Sequence, residues 1–401
     1  MIDPVNQPTH PDESSPTAIR VALAHDWLVG RRGGELVLDA IVNALLDDQY
    51  TITNLYTMFD TGAPITPAIN AIGKTVSPLN KYPPSLRRWL LFRYPCAVEK
   101  LTDQLAKNHR KAPIDLLVSS HSSAIKALSP PSPSVPHLCY CHTPARYLWS
   151  QRGLYASPGF KGRLRSTGLK LVTPTLRRWD RAAADSVTHF IANSTHTAEQ
   201  INQHYHRDST IIHPPVRTDF FVQSDTPRTD ELLLVSALEP YKRVELAIDT
   251  AAITNRPLNI VGTGSHDSQL RKHARRARSR FGSRSLIQFL GHRTDKQLLA
   301  HYQSASAFLF PQIEDFGITA VEAQATGCPV VARRAGGALD TIIERSTGVL
   351  FDETAPESIA EALARVPAHT DTPERCRNSA LRFSESVFQE KFRSLLNTVL
   401  N

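Results

Sequence analysis

Residues 304–337 read SASAFLFPQIEDFGITAVEAQATGCPVVARRAGG, and this stretch decides the fold. The apolar run 305–310 predicts a buried strand, because it is short and a proline follows it. A loop comes next, and the pattern at 318–326 predicts a helix that stops before Gly327, a residue type favoured just beyond a helix end. A second short apolar run begins at Pro329. Strand, helix and strand in this order are typical of a parallel sheet covered by helices.

This unit carries two carboxylates, one in the loop and one on the helix. Glu314 follows the strand, and Glu322 lies eight positions later on the helix. Ligands of open α/β sheets bind beyond the carboxyl ends of the strands, so both acids are expected to face one crevice. A carboxylate accepts two hydrogen bonds and therefore suits a vicinal diol. Between the acids, Phe316, Gly317 and Ile318 begin the helix, where backbone amides bind anionic phosphate.

Diol, phosphate and diol are the parts of a nucleotide sugar, and the whole string is similar to a known signature. Glu314 and Glu322, with seven residues between them in EDFGITAVEAQATGCPVVARRAGG, resemble the motif of the retaining glycosyltransferases of family 4, group 1. The resemblance implies the GT-B fold, in which two Rossmann-like, doubly wound α/β domains face each other across a cleft. The alternative is a surface loop acid followed by a solvated helix acid.

The composition is that of an ordinary globular protein with a basic surplus. The 401 residues are 41% hydrophobic and 21% charged, with a net charge of +8. This charge favours anionic phosphates, lipid surfaces or nucleic acid without selecting one of them. Five cysteines give no disulfide framework, so reduced and mostly buried thiols are expected. No apolar run is long enough to span a bilayer, and we expect a cytoplasmic protein, free or at the inner face of the cell membrane.

The patterning divides the chain into four parts. Residues 1–17 are polar and carry prolines, and we expect a disordered tail there. Residues 18–215 are predicted to form an N-terminal domain, and residues 216–383 a C-terminal domain. The resemblance implies that the first is the acceptor side and that the second binds the nucleotide sugar. Both halves open with strand, loop and helix, although no sequence repeat is visible. Residues 384–401 form an amphipathic helix, which the resemblance places back against the N-terminal domain.

In the N-terminal half, candidate site residues follow two predicted strands. The strand at 18–24 leads through HDWL to Gly33 and Gly34, which allow backbone amides to approach a phosphate or a sugar closely. A tight turn without a ligand is the alternative. Another strand ends at His142, where the resemblance implies an active-site histidine that contacts the transferred sugar. A histidine held by backbone groups is the alternative for that residue.

The resemblance also implies donor-binding residues in the C-terminal half. Lys242 and Arg243 precede a helix, where the family uses a lysine to bind the donor phosphates. The arginine that the family carries five residues earlier is replaced by Ala237, so Arg243 becomes the candidate substitute. A solvated Lys–Arg pair is the alternative reading of this segment. The residues implied to border the nucleotide base are Gly262, Gly264 and His292.

Two basic segments stand apart from these motifs. Residues 77–100 combine lysines and arginines with Trp89 and Phe92, and prolines limit any helix to 85–94. A short basic and aromatic helix suits a membrane interface, and an ordinary helix packed on the domain is the alternative. Residues 272–284 carry a charge run, for which a solvated helix face is preferred over a nucleic-acid patch.

The predicted chemistry needs no cofactor beyond the nucleotide-sugar donor. The sequence has no DxD triplet, no HExxH and no Cys/His cluster. We therefore predict a metal-independent reaction in which Lys242 and the amides near Gly317 neutralise the leaving diphosphate. The resemblance implies that the enzyme is a retaining hexosyltransferase. Its catalytic candidates are His142 and Glu314.

Only the resemblance indicates which donor and which acceptor the protein uses. The N-terminal half is similar to enzymes that use GDP-mannose on lipid-linked or oligosaccharide acceptors in cell-surface glycan synthesis. One alternative is a transferase or an epimerase that uses a UDP-sugar on the same fold. Another is a non-catalytic basic protein that binds membranes or nucleic acid.

Overall fold

The computed structural model describes residues 18–87, 90–150, 160–367 and 370–400. The tail predicted at 1–17 therefore lies outside the described residues, as does Trp89. The strands of the first half are β1 Ile19–Leu28, β2 Tyr50–Asp60, β3 Lys74–Val76, β4 Leu116–His121, β5 His137–Cys141, β6 His189–Ala192 and β7 Ser209–Ile211. Its helices are α1 Gly33–Ala44, α2 Pro67–Ala71, α3 Pro84–Arg87, α4 Tyr94–Lys111, α5 Phe160–Asp185 and α6 Thr195–Tyr205.

The second half repeats this alternation of strands and helices. Its strands are β8 Leu232–Val235, β9 Leu258–Val261, β10 Ile287–Gly291, β11 Ala307–Phe310, β12 Val330–Arg333 and β13 Gly348–Phe351. Its helices are α7 Val244–Thr254, α8 Asp267–Phe281, α9 Asp295–Ser304, α10 Ile318–Ala325, α11 Ala338–Thr341, α12 Pro356–Ala364, α13 Thr372–Leu381 and α14 Glu385–Leu400. Within the described ranges, no helix combines the length and the hydrophobicity that a bilayer crossing requires.

Each half is built on one sheet, and we call the two units the N-terminal and C-terminal domains. The first sheet has the order β3-β2-β1-β4-β5-β6-β7, and the second has the order β10-β9-β8-β11-β12-β13. All strand pairs in both sheets are parallel. In each sheet the chain winds outward in one direction from its first strand and then returns to wind in the other. The predicted doubly wound α/β architecture is therefore confirmed for both domains.

Helices cover both faces of each sheet, which explains why the strands are apolar runs rather than alternating patterns. In the N-terminal domain, one face of the sheet packs against α1 and α14, and the other packs against α4. Phe388, Phe392 and Leu396 of α14 are buried in the first of these cores. The last helix of the chain thus lies on the N-terminal domain, and Arg393 donates from Nε to the carbonyl of Ala44 across 2.9 Å.

The chain crosses between the domains twice, and the two crossings touch. Val216 forms a parallel bridge with Ser384, and its amide donates to the carbonyl of Phe383 across 2.8 Å. This pairing gives the domains a common pivot at the point where the segment from β7 enters the C-terminal domain and the segment to α14 leaves it.

Three local predictions differ from the structure. Strand β1 continues to Leu28, so HDWL belongs to the strand instead of following it. Helix α1 begins at Gly33, so the glycine pair forms the first turn of the helix rather than a loop before it. The single helix predicted at 85–94 is wrong: α3 ends at Arg87, and α4 begins at Tyr94. Pro95 explains this restart, because the first turn of a helix accepts proline without losing a hydrogen bond.

Candidate functional site

A cleft of about 960 Å³ runs between the two domains. It lies at the carboxyl ends of β1, β4 and β5 on one side and of β8 and β11 on the other. The winding of the sheets reverses between β1 and β4 and between β8 and β11, and such switch points are where open α/β sheets bind ligands. The predicted site residues that line the cleft are Gly33, Gly34, His142, Lys242, Glu314, Phe316, Gly317 and Ile318.

The centre of the cleft is an ion pair within the C-terminal domain. Nζ of Lys242 contacts Oε1 of Glu314, and the two side chains are 13% and 15% exposed. Lys242 ends a single 3₁₀ turn that begins at Pro240, and Arg243 then adopts a left-handed conformation with φ of 55°. This kink separates the two basic side chains: Lys242 faces the cleft, whereas the side chain of Arg243 is exposed and does not line it.

Arg146 enters the cleft from the N-terminal domain. Its Nε donates to Oδ2 of Asp315 across 3.1 Å, its Nη2 donates to the same oxygen, and Nη2 lies 4.0 Å from Oε2 of Glu314. Burial alone would lower the pKa of Arg146, but the carboxylates of Asp315 and Glu314 hold that pKa above its usual range. The guanidinium therefore links the domains through the loop that carries Glu314.

His142 follows β5 as a half-buried and uncharged imidazole that lines the cleft. Its Nε2 is 2.8 Å from Oγ of Ser120, and its carbonyl accepts a hydrogen bond from the side chain of Asn193. Burial, together with the neighbouring His25 and His121, lowers the pKa of His142 to about 3. At neutral pH this ring can exchange hydrogen bonds with a ligand, but it carries no positive charge.

Asp26 holds the loop after β4 in place on the N-terminal side of the cleft. Its two carboxylate oxygens accept hydrogen bonds of 2.6 to 2.9 Å from the amides of residues 122–125. Burial alone would raise the pKa of Asp26, but His121, whose Nδ1 lies 3.5 Å from Oδ2, and the bonds from these amides bring that pKa below its usual range. The loop after β4 is thereby fixed next to His142.

The N-terminus of α10 forms the opposite wall. Gly317 begins this helix with φ of 96°, a conformation that favours glycine. A Cβ there would also lie 2.8 Å from the ring of Phe310. The first amides of α10 have no acceptor within the helix, so they suit an anionic group in the cleft. Gly33 approaches this end closely, since a Cβ at Gly33 would be 3.1 Å from Cδ1 of Ile318.

Glu322 lies on α10 but does not line the cleft. It is 6% exposed, and the hydroxyl of Tyr302 donates to its Oε2 across 3.1 Å. Burial raises the pKa of Glu322 to about 7. The structure thus brings Glu314 into the cleft and leaves Glu322 behind its wall, so the expected pair of acids facing one crevice is present only in part.

The predicted base-side residues also lie beyond the cleft lining. A Cβ at Gly262 would be 1.9 Å from the carbonyl oxygen of Ser236, and one at Gly264 would be 2.3 Å from that of Leu238. These glycines therefore allow the loops after β8 and β9 to touch. His292 is exposed after β10. Its role and that of the two glycines remain predictions.

Arg146, Asp315 and Asp26 are site residues that sequence reasoning did not single out. Their sequence positions could have indicated all three, because Arg146 and Asp26 lie among polar residues at the ends of strands and Asp315 is next to Glu314. The sequence does not show which residues of one domain come close to residues of the other. No group of three His, Cys, Asp or Glu side chains with the arrangement of a metal site occurs among the described residues.

Two family profiles together match residues 31–383 of the chain. Residues 31–220 match the profile described as Glycosyltransferase Family 4, and residues 216–383 match the one described as Glycosyl transferases group 1. The chain belongs to the group 1 glycosyltransferases of family 4.

Relatives in this family match the chain over part of their length. A D-inositol 3-phosphate glycosyltransferase from Corynebacterium glutamicum is 30% identical over 184 residues, which cover 43% of this chain and 44% of that protein. A GDP-mannose-dependent alpha-(1-6)-phosphatidylinositol monomannoside mannosyltransferase from Mycobacterium tuberculosis is 32% identical over 148 residues, or 35% of each chain. The matched segments thus span less than half of these relatives.

Solved structures extend the likeness to the whole fold. Sucrose-phosphate synthase from Thermosynechococcus elongatus aligns with a TM-score of 0.72 at 16% identity, covering 95% of this chain and 99% of that one. The Anabaena protein HepE, solved with UDP and glucose, aligns with a TM-score of 0.65 at 17% identity, covering 94% and 99%. The expected GT-B fold of the family is confirmed.

Proposed function

We propose that this protein is a retaining, metal-independent hexosyltransferase. It transfers mannose from GDP-mannose to a lipid-linked or oligosaccharide acceptor in the synthesis of a cell-surface glycan. The observation that carries the proposal is the convergence of Lys242, Glu314 and the N-terminus of α10 opposite His142 in one cleft between the domains. A cation, helix amides, a carboxylate and a neutral imidazole match the diphosphate and the hydroxyls of a nucleotide sugar.

The leaving nucleoside diphosphate gains negative charge as the glycosidic bond breaks. Lys242 and the amides at the start of α10 stabilise that charge, and they do so without reorganising because they are fixed before the reaction. Glu314 forms an ion pair with Lys242. This contact favours a role for Glu314 in positioning the lysine and a sugar hydroxyl, and it disfavours a role as the nucleophile. Attack of the acceptor from the face that the leaving group vacates then retains the anomeric configuration, with a donor phosphate oxygen taking the acceptor proton.

His142 acts in this proposal through hydrogen bonding. Its imidazole is neutral at the pH of the cytoplasm, so it orients a sugar hydroxyl and does not transfer a proton as an imidazolium. Closure of the two domains about the pivot at Val216 excludes water and protects the donor from hydrolysis.

GDP-mannose is favoured because the mycobacterial relative is named for that donor and for a lipid acceptor. The second candidate is a transferase or an epimerase that uses a UDP-sugar, which is favoured by the UDP bound to the HepE structure. Thermal unfolding with GDP, UDP and ADP separates these donors, because a ligand that binds only the folded state raises the melting temperature. The proposal predicts the largest increase with GDP, and no increase with any of the three would contradict it.

A membrane surface remains part of the proposal for the acceptor. Leu86 and Phe92 are 47% and 59% exposed in the segment 77–100, which suits insertion into an interface. Arg87 is buried, so it does not contribute to a basic face there. Sedimentation with anionic lipid vesicles tests this role. The double variant Leu86→Ser/Phe92→Ser is expected to lose binding, and equal binding of wild type and variant would refute it.

A further inference from the structure

Arg146 belongs to one domain and finds its partners in the other. It lies four residues after His142, in the loop that follows β5. Both of its hydrogen bonds go to Asp315 of the C-terminal domain, and Nη2 is also 4.0 Å from Glu314. Its side chain is 29% exposed and lines the cleft, so a ligand can reach the guanidinium.

Glu314 separates two cations. Its Oε1 contacts Lys242, and its Oε2 faces Arg146. Because both oxygens belong to one carboxylate, the ammonium and the guanidinium lie on either side of a single anionic group. A phosphate of comparable size can bridge the same two cations. Guanidinium is the side-chain group best suited to this, since its planar fork binds phosphate oxygens in pairs.

Among the described residues of the C-terminal domain, Lys242 is the one lysine or arginine that lines the cleft. Ala237, at the end of β8, lines the cleft with a methyl group, and the side chain of Arg243 is exposed outside the lining. The next cation toward the diphosphate position therefore comes from the N-terminal domain. Arg32 and Arg87 of the N-terminal domain also line the cleft. Arg32 is exposed at the start of α1, whereas the guanidinium of Arg87 is held by Asn80 and by the carbonyl of Tyr82.

We propose that Arg146 is the second cation of the diphosphate site, and that it exchanges the carboxylate of Asp315 for a phosphate oxygen when the donor binds. The inference rests on the proposed function, since it requires a nucleoside diphosphate in the cleft. Its consequence is that the donor joins the domains, with Lys242 on one side of the diphosphate and Arg146 on the other. No covalent step is involved.

Calorimetric titration of the full chain tests this exchange. The probes are the nucleoside diphosphate that binds wild type most tightly among GDP, UDP and ADP, and the matching nucleoside without phosphate. Arg146→Ala is expected to weaken diphosphate binding by about 10- to 100-fold and to leave nucleoside binding unchanged. Arg146→Lys keeps the charge and loses the fork, so it is expected to fall between the two. It also serves if the alanine variant does not fold.

Asp315→Asn distinguishes a phosphate ligand from a mere link between domains. The exchange predicts that this variant binds the diphosphate at least as tightly as wild type, because the competing carboxylate is gone. Arg256→Ala is the matched control, since it breaks an arginine–aspartate pair with Asp230 near the amino ends of β8 and β9, outside the cleft lining. It is expected to bind like wild type.

Two results would overturn the exchange while leaving the proposed function intact. One is Arg146→Ala binding the diphosphate within twofold of wild type while Lys242→Ala does not. The other is an equal loss of affinity in Arg146→Ala and Asp315→Asn, which would make the arginine a connector only. A folded wild type that binds none of the three diphosphates would refute the exchange and the proposed function together.

Discussion

The hydroxyl of Tyr302 on α9 donates a hydrogen bond to the carboxyl of Glu322 on α10, 3.1 Å away and sealed from solvent. Burial raises the pKa of this carboxyl to about 7, because the interior disfavours its charged form. The folded protein therefore holds a proton on Glu322 at pH values where the unfolded chain has released it.

This relationship makes the stability of the protein depend on pH in a predictable direction. Between the unfolded pKa of 4.5 and the folded pKa of about 7, the native state binds more protons, so the free energy of unfolding falls as the pH rises. Glu322→Gln removes the ionisation. Urea unfolding is expected to show that the free energy of unfolding of the variant, relative to that of wild type, increases by on the order of 3 kcal/mol between pH 5 and pH 8.

The control for this prediction is Glu361→Gln, an exposed acid on α12. Its stability curve is expected to run parallel to that of wild type. If Glu322→Gln were also parallel to wild type over this pH range, the carboxyl would already be ionised in the folded protein and the prediction would fail.

Asp26 is expected to have the opposite pH dependence. Its folded pKa lies below its usual value, so its contribution to stability is present above the unfolded pKa of 3.8 and is lost as the pH falls further. Asp26→Asn replaces a carboxylate that accepts four backbone hydrogen bonds. We expect this variant to lose about 3 kcal/mol at pH 7 in chemical unfolding and to have a flatter acid limb.

The exposed pair of Asp267 and Arg271 on α8 provides the comparison. Asp267→Asn is expected to cost less than about 0.5 kcal/mol, because surface ion pairs are screened by water. Similar losses in the two variants would show that the buried carboxylate does not anchor the loop after β4.

His142 is predicted to act as a neutral ring, and the pH dependence of its variants tests this. Burial lowers the pKa of His142 to about 3, so the same form is present at pH 6 and at pH 8. His142→Ala is expected to lower kcat by about 10- to 100-fold, by the same factor at both pH values. Ser120→Ala removes the hydrogen bond to Nε2 and keeps the imidazole, so a smaller loss is expected.

Steady-state assays of donor turnover at several pH values provide the measurement for these variants. The contrary result is a wild-type activity that falls below pH 6.5 while the activity of His142→Ala does not. That result would mean that the imidazole of His142 changes its protonation state in the pH range of the assay. It would then act as an acid or a base and not as a neutral hydrogen-bonding group.

Local sequence patterns were enough to predict the two sheets and the centre of the cleft. Buried parallel strands are short apolar runs, and the polar residues that follow them lie at one end of each sheet because the strands are parallel. His142 lies there in the N-terminal domain, and Lys242 and Glu314 lie there in the C-terminal domain. Gly317 and Gly327 marked the ends of α10 because their positive φ angles favour glycine.

Other features depend on contacts that no local pattern encodes. The partnership of Arg146 with Asp315 follows from how the domains face each other, and 169 positions separate the two residues. The burial of Glu322 follows from packing against α9, whereas its position on the helix alone allowed it to face the cleft. The break before Tyr94 was missed because the aromatic and basic composition of 85–94 outweighed the fact that Pro95 suits the first turn of a new helix.

The most direct measurement of the central claim is release of nucleoside diphosphate from a panel of nucleotide sugars by wild type, Lys242→Ala and Glu314→Ala, with and without EDTA. The account predicts that wild type releases GDP from GDP-mannose, slowly by hydrolysis and faster with an acceptor, and that EDTA has no effect. Both variants are expected to lose activity by about 100-fold or more. Folded variants that turn over the donor like wild type, or a wild-type activity that EDTA abolishes, would contradict it.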